Sequence, residues 1–276
     1  MTLSTEAIVA QLDALEVEHD VRILYACESG SRAWGFASAD SDFDVRHVYV
    51  ARPERYRSIA KTRDVIEGPL DATRDFSGWD ARKALELFRK SNPSFLEWLG
   101  SPIVYRERTS FAAGLRELAK TYYSPIACAH HYEHMARGNF REYLQGEEVW
   151  LKQYFYVLRP LLAVRWLERG LGVVPMEFAR LVEVTLEPGA VRDALEVLTA
   201  AKRTGAELST GPRVSALNDF IEAEFERRRQ APTVLASGEA PIDQLDDAFR
   251  KALGAAWGDA REGERPRAAG GQGSQR

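Results

Sequence analysis

The sequence predicts an α+β protein, a strand-and-helix front part followed by a helical back part, and three observations carry that expectation. Two short runs, "VRILYAC" (21–27) and "DFDVRHVYV" (42–50), are dense in β-branched and aromatic residues, as strands are. Ile8, Leu12 and Leu15 fall at helical spacing ahead of them. From about residue 109 onward the apolar periodicity is helical, with "EEVWLKQYFYVLRPLLAVRWLERG" (147–170) the longest such segment.

Taken in order, the first helix covers residues 4–18, and "VRILYAC" follows as a buried strand. "ESGS" makes a turn and "RAWG" a brief helical turn. "DFDVRHVYV" is the second strand, broken by "ARPER". A further strand lies within 63–76, ending in "ATRDF". Ser77-Gly-Trp-Asp80 then matches the S-x-x-D capping signature and introduces the helix "DARKALELFRKS", which Asn92-Pro93 stops. In the back part Pro160 is expected to kink the long helix and Gly170 to end it. Further helical patterns sit near 176–185, 190–203, 213–229 and 242–256. The end, "GDAREGERPRAAGGQGSQR", has almost nothing apolar and reads as disordered.

At 276 residues, 45% hydrophobic and 28% charged, the chain has the makeup of a soluble globular protein able to bury a large core. No run approaches the ~18 apolar residues that cross a bilayer, and the N-terminus lacks the basic-then-apolar pattern of a secretory signal. Cys27 and Cys128 are too few for a disulfide framework. These features point to a reduced, cytoplasmic protein. A net charge of −4 says little about partners; it weakens the case for a strongly basic nucleic-acid binder while leaving room for a local patch.

The chemistry concentrates in "ESGSRAWGFASADSDFDVRHVYV" (28–50). A calcium loop would use Asp40, Asp42 and Asp44 at positions 1, 3 and 5, but then needs Gly and Glu where this chain has Val45 and Ala51. Turn chemistry accounts for "SADSD" but not for Asp44 inside an apolar β run. On a strand Asp42 and Asp44 share one face about 6.5–7 Å apart, where like charges repel unless a cation or basic group lies between them. A phosphate-handling metal site explains these features together. The Gly30-Ser31 turn can aim backbone N–H groups and a hydroxyl at phosphate oxygens, and paired carboxylates can hold two hard cations.

The segment "GSRAWGFASADSDFD" resembles the G-S…G…S-D-x-D signature of the DNA polymerase β-like nucleotidyltransferase superfamily. More narrowly, "GSRAWG", "SDFDVR", "DFSGWDARKAL", "KSNPSFLEWLGSPIVY" and "KQYFYVLRPLLA", in order over residues 29–165, resemble the RNA-repair-associated (RlaP-type) nucleotidyltransferase family. The resemblance implies a small mixed-sheet nucleotidyltransferase core over residues 1–108, a helical substrate-covering domain over 109–257 and a tail from 258 to 276. It implies that Gly30 and Ser31 hold an NTP, that Asp42 and Asp44 bind two Mg²⁺ (or Mn²⁺) ions, and that a third acid on a neighbouring strand completes the site. Asp75, at the end of the expected strand, is favoured over Asp80, which the capping signature already employs. Arg32 and the stripe of Lys152, Tyr156 and Arg159 are candidates to face the nucleotide.

The implied reaction is transfer of a nucleoside monophosphate from an NTP to a hydroxyl, with RNA ends or tRNA as the suggested acceptor. Modification of a small molecule or protein side chain, or an idle NTP-binding module, are the alternatives. His130 and His134 stand at i, i+4, half of a zinc site, but no third ligand accompanies them. His47 reads as structural.

Overall fold

The computed structural model describes residues 4–38, 41–60, 62–71, 73–204, 210–230 and 234–258. The front part opens with α1 (Thr5–His19), whose Ser4 cap accepts a hydrogen bond from the Ala7 amide at 3.3 Å and whose Ile8, Leu12 and Leu15 are buried. There follow β1 (Val21–Ser29), the short α2 (Gly30–Trp34), β2 (Phe43–Ala51), a 3₁₀ turn at Pro53–Arg57, β3 (Val65–Asp71), β4 (Arg74–Asp80), α3 (Ala81–Arg89), α4 (Pro93–Leu99) and β5 (Val104–Glu107). The five strands form one mixed sheet in the order β3-β4-β2-β1-β5. The β2–β4 pair is parallel, and every other pair in it is antiparallel.

Alternation along β2 divides the sheet into two faces. Val45, Tyr49 and Ala51 join Ile8, Leu12 and Leu15 in a small core beneath α1. Val48 and Val50 point the other way, into a larger core shared with α3, α4 and the back part. The back part comprises α5 (Phe111–Tyr122), α6 (Pro125–Tyr143), β6 (Glu148–Trp150), α7 (Gln153–Glu168), α8 (Phe178–Thr185), α9 (Ala190–Arg203), β7 (Thr210–Pro212), α10 (Ser215–Gln230) and α11 (Ile242–Trp257). That larger core is continuous from Leu24 to Ala252. The last helix, α11, returns to the front: Phe249 meets the Tyr56 ring edge-on at 4.9 Å, and Trp257 lies under the guanidinium groups of Arg22 and Arg52.

Three local expectations differ from the structure. The strand expected within 63–76 is two strands, and Ser77 lies inside β4 rather than at a helix cap. Asp80 is itself the cap of α3, its Oδ1 accepting from the Arg82 amide at 2.8 Å. Pairing on both edges, with β2 and with β3, holds Ser77–Trp79 extended and outweighs the local capping signal. The 147–170 helix is shorter, because Glu148–Trp150 pairs with Thr210–Pro212 in a separate ribbon. Pro160 stays within α7, and Gly170, with φ +67°, follows its end. The tail expected to be disordered falls almost wholly on 259–276, outside the described residues, as does Asp40 of the calcium reading. Among the described residues no helix is long and apolar enough to cross a membrane, and both cysteines are buried and unpaired.

His47 is structural. Its ring is buried above Gly78, where a Cβ would lie 2.0 Å from Nε2, and neither ring nitrogen has a hydrogen-bond partner among the described residues. Burial, reinforced by the charges of Arg46, Arg106 and His19, depresses its pKa from 6.5 to about 3. The folded protein therefore keeps His47 neutral while the unfolded chain takes up a proton below pH 6.5, so stability is lost as pH falls through that window. Urea denaturation is expected to show about 2 kcal/mol of this loss between pH 6.5 and 5 in the wild type. His47→Leu should lack that component and show a shallower acid slope.

Candidate active site

The site forms where β1 ends and β2 begins. Register places Ser29 opposite Asp44, and Asp44 opposite Asp75 of β4. Because Asp44 and Asp75 are register partners on neighbouring strands, both carboxylates leave the sheet on the same face, toward the helices of the back part. Asp80, five residues after Asp75, lies on the other face, bound by the Tyr56 hydroxyl at 2.7 Å. The structure thus sets Asp75 beside Asp44 and gives Asp80 structural work. The Asp42 carboxylate, exposed just ahead of β2, has no hydrogen bond or ion pair among the described residues.

Gly30 is the first residue of α2, with φ +62°. A Cβ there would fall 2.0 Å from Asp44 Oδ2, so the turn and the carboxylate fit only because this residue is glycine. Ser31 is half-buried in the first turn of α2, whose leading amides have no partner within the helix. Arg32 points back to the segment carrying Asp42. Its Nη2 donates to the Ser41 carbonyl at 2.6 Å, its Nε to the Asp42 carbonyl at 3.0 Å, and its guanidinium lies 3.7 Å over the Phe43 ring. As placed, Arg32 orders the acidic segment.

Arg46 is the residue that the sequence reading missed. Its Nη2 bridges Asp44 Oδ1 at 3.3 Å and Asp75 Oδ2 at 2.7 Å, and its Nη1 donates to the Asp75 carbonyl at 2.9 Å. Two positions after Asp44, it shares that face of β2, so strand alternation alone could have flagged it. Burial raises the Asp44 pKa; Arg46 opposes the rise, and the charges of Asp42 and Asp75 add to it. Below this group lies Glu28, fully buried, which accepts the Asp44 amide at 2.8 Å and the Tyr105 hydroxyl.

The back part closes the other side. Tyr156 of α7 packs edge-on against Trp34 at 5.4 Å, and burial together with the nearby Asp44 and Asp42 charges raises its pKa. Lys152 stands exposed at the start of α7, 6.0 Å from the Tyr156 ring centre, and its charge acts on Asp44. Lys202 of α9 joins it: burial and the Lys152 charge lower its pKa, while Asp42 pulls it up. Lys202 arrives from 160 residues beyond Asp42 in sequence, and no local motif marks it. Arg159, third of the expected stripe, is instead buried in an ion pair with Glu97 at 2.7 Å. A cavity of about 280 Å³ lies between the two parts, lined by Ser29, Trp34, Glu97, Tyr156 and Arg159 among others. Arg46, Trp79 and Trp98 separate it from an open groove of about 530 Å³ that Asp75 lines.

Among the described residues no three His, Cys, Asp or Glu side chains converge closely enough to share one metal ion. At the acidic group, Arg46 lies between Asp44 and Asp75 and donates to both. The donors are nonetheless those a hard cation takes, carboxylate oxygens, and the Asp42 side chain has no partner among the described residues. His130 and His134 are exposed on α6.

The sequence profile of a family described as RNA repair pathway DNA polymerase beta family (RlaP) matches residues 5–251. An uncharacterized protein, YcgL of Bacillus subtilis (strain 168), is 47% identical over 226 residues, spanning 82% of this chain and 87% of its own. A solved nucleotidyltransferase-like protein from Exiguobacterium sibiricum 255-15 aligns over 82% of this chain and 81% of its own. Its 11% identity and TM-score of 0.29 are too slight to bear on the site.

The Gly30 contact is open to direct measurement. Gly30→Ala is expected to cost about 1–3 kcal/mol from left-handed strain, plus the cost of displacing Asp44. Gly35→Ala, also at positive φ but with nothing within 4 Å, should carry the strain alone. Equal losses of urea midpoint in the two variants would show that the carboxylate contact is unimportant.

Proposed function

Because this chain belongs to the RNA repair pathway DNA polymerase beta (RlaP) family, we propose that it is a divalent-metal-dependent nucleotidyltransferase that adds a nucleoside monophosphate to a hydroxyl of an RNA end. The observation that carries the reading is the in-register pair of Asp44 and Asp75 on one sheet face, next to the Gly30-Ser31 turn and the free carboxylate of Asp42. The same elements suit neither a zinc site nor a covalent enzyme intermediate.

Asp42 and Asp44 would hold the Mg²⁺ or Mn²⁺ ions, with Asp75 joining them; bound there, such ions neutralise phosphate charge. Ser31 and the leading amides of α2 would hold the terminal phosphates, with Lys152 and Lys202 offsetting their charge from the other side. The acceptor hydroxyl oxygen attacks the α-phosphorus, the bond from that phosphorus to the bridging oxygen breaks, pyrophosphate leaves, and Asp75 takes the hydroxyl proton. Positioning and charge neutralisation supply most of the acceleration in such transfers. Arg46 keeps the two carboxylates together before substrate arrives, and Arg32 keeps the Asp42 segment in place.

The test is incubation with labelled NTPs, Mg²⁺ or Mn²⁺, and total RNA. Asp42→Asn and Asp44→Asn are each expected to lower label transfer by a factor on the order of 10³ or more, with the thermal melt unchanged or slightly raised. Transfer surviving in both variants would refute the assignment.

A further inference from the structure

Arg46, Trp79 and Trp98 form a wall with a space on each side. On one side is the cavity that Ser29 and Tyr156 line; on the other is the groove that Asp75 lines. Nucleotidyl transfer needs two seats, one for the incoming nucleotide and one for the acceptor, meeting at the carboxylates. We propose that the groove beside Asp75 seats the terminal nucleoside of a single-stranded RNA acceptor, its base stacked on Trp79. This inference rests on the nucleotidyl-transfer reading and names its acceptor subsite.

Four observations support it. Asp75, Ser77 and Trp79 leave β4 on the same face, about 13 Å from first to last by strand rise. That span matches a nucleoside whose sugar hydroxyl meets Asp75 while its base reaches the indole. The Trp79 ring is partly exposed and already ordered, stacked on Trp98 at 3.9 Å with 29° between planes. Trp98 is itself buried against Phe95. A stacking surface held this way loses little freedom when a base covers it. Ser77, between the two ends, has no side-chain hydrogen bond among the described residues, so its hydroxyl is available to a base or ribose edge.

Charge decides against a polycationic small molecule as occupant. Both acids of the groove already have partners, Asp75 in Arg46 and Glu67 in Arg63. What remains facing the groove is planar and nearly neutral, which suits an aromatic base.

The experiment uses the full chain and a short 5′-fluorescein-labelled single-stranded oligoribonucleotide with a free 3′ hydroxyl, read by anisotropy without NTP. Calorimetry of NTP with Mn²⁺ runs in parallel. Trp79→Leu is expected to weaken oligomer binding roughly tenfold or more, Trp79→Phe to restore most of it, and NTP binding to fall by a clearly smaller factor than oligomer binding in Trp79→Leu, since Trp79 also borders the cavity. Ser77→Ala, which leaves the aromatic pair intact, should weaken the oligomer by a smaller factor. Equal binding by wild type and Trp79→Leu, or no binding by the wild type, would overturn the proposal. So would a loss in Trp79→Leu that Trp79→Phe does not restore. If the oligomer depends on Trp79 but no label is ever transferred, the chemical reading fails and the subsite stands. If RNA is labelled with an acceptor KM indifferent to Trp79→Leu, the reverse holds.

Discussion

Everything at this site depends on the parallel pairing of β2 with β4. Paired residues on neighbouring strands point to the same face of a sheet, and the register here sets Asp44 against Asp75. Had β4 shifted by one residue, Phe76 would replace Asp75, and the carboxylate would point into the small core under α1. The hairpin from β3 and the helix α3 that begins at Asp80 fix β4 from its other edge and its far end. The acidic pair is thus a product of sheet topology, while Gly30 supplies the room beside it.

That geometry brings an electrostatic difficulty which the chain itself meets. Asp44 and Asp75 are partly shielded from water, with side chains 21% and 36% exposed, and two carboxylates so placed repel. Arg46 lies between them and donates to both, as well as to the Asp75 backbone. The guanidinium serves as the internal counter-charge of the protein without substrate. It also borders both the cavity and the groove, so one side chain links the charge balance of the site to the two spaces beside it. On the opposite side, the larger core runs without interruption from the sheet into α7 and α9. That continuity brings Tyr156, Lys152 and Lys202 to the cleft.

Much of this was legible in the sequence, and the boundary of legibility has a physical cause. β1, β2, α1 and the helices from α8 to α11 were readable because periodicity is local. Asp42, Asp44 and the Gly30-Ser31 turn were readable because the motif is contiguous, and Asp75 because a neighbouring strand was expected there. The Ser77 capping signature misled because ladder bonds to two strands overrode it. The β6–β7 ribbon escaped notice because its partners lie 60 residues apart and each is only three residues long. Arg32 looked like a phosphate ligand by adjacency, whereas its donors go to the Ser41 and Asp42 carbonyls. Lys202 and the Trp79–Trp98 stack depend on chain segments meeting in space, which no spacing records. The family profile covers residues 5–251; the roles of Asp42, Asp44 and Asp75 come from the resemblance, and the coordinates add how these side chains lie relative to Arg46 and Gly30.

The most direct test is uptake of Mn²⁺ by the purified chain, followed by electron paramagnetic resonance with a non-hydrolysable NTP analogue present. If the carboxylates gathered by the β2–β4 register are the ion site, the free-Mn²⁺ signal falls with wild type and stays high with Asp44→Asn. An equal fall with both proteins would contradict the account at its centre.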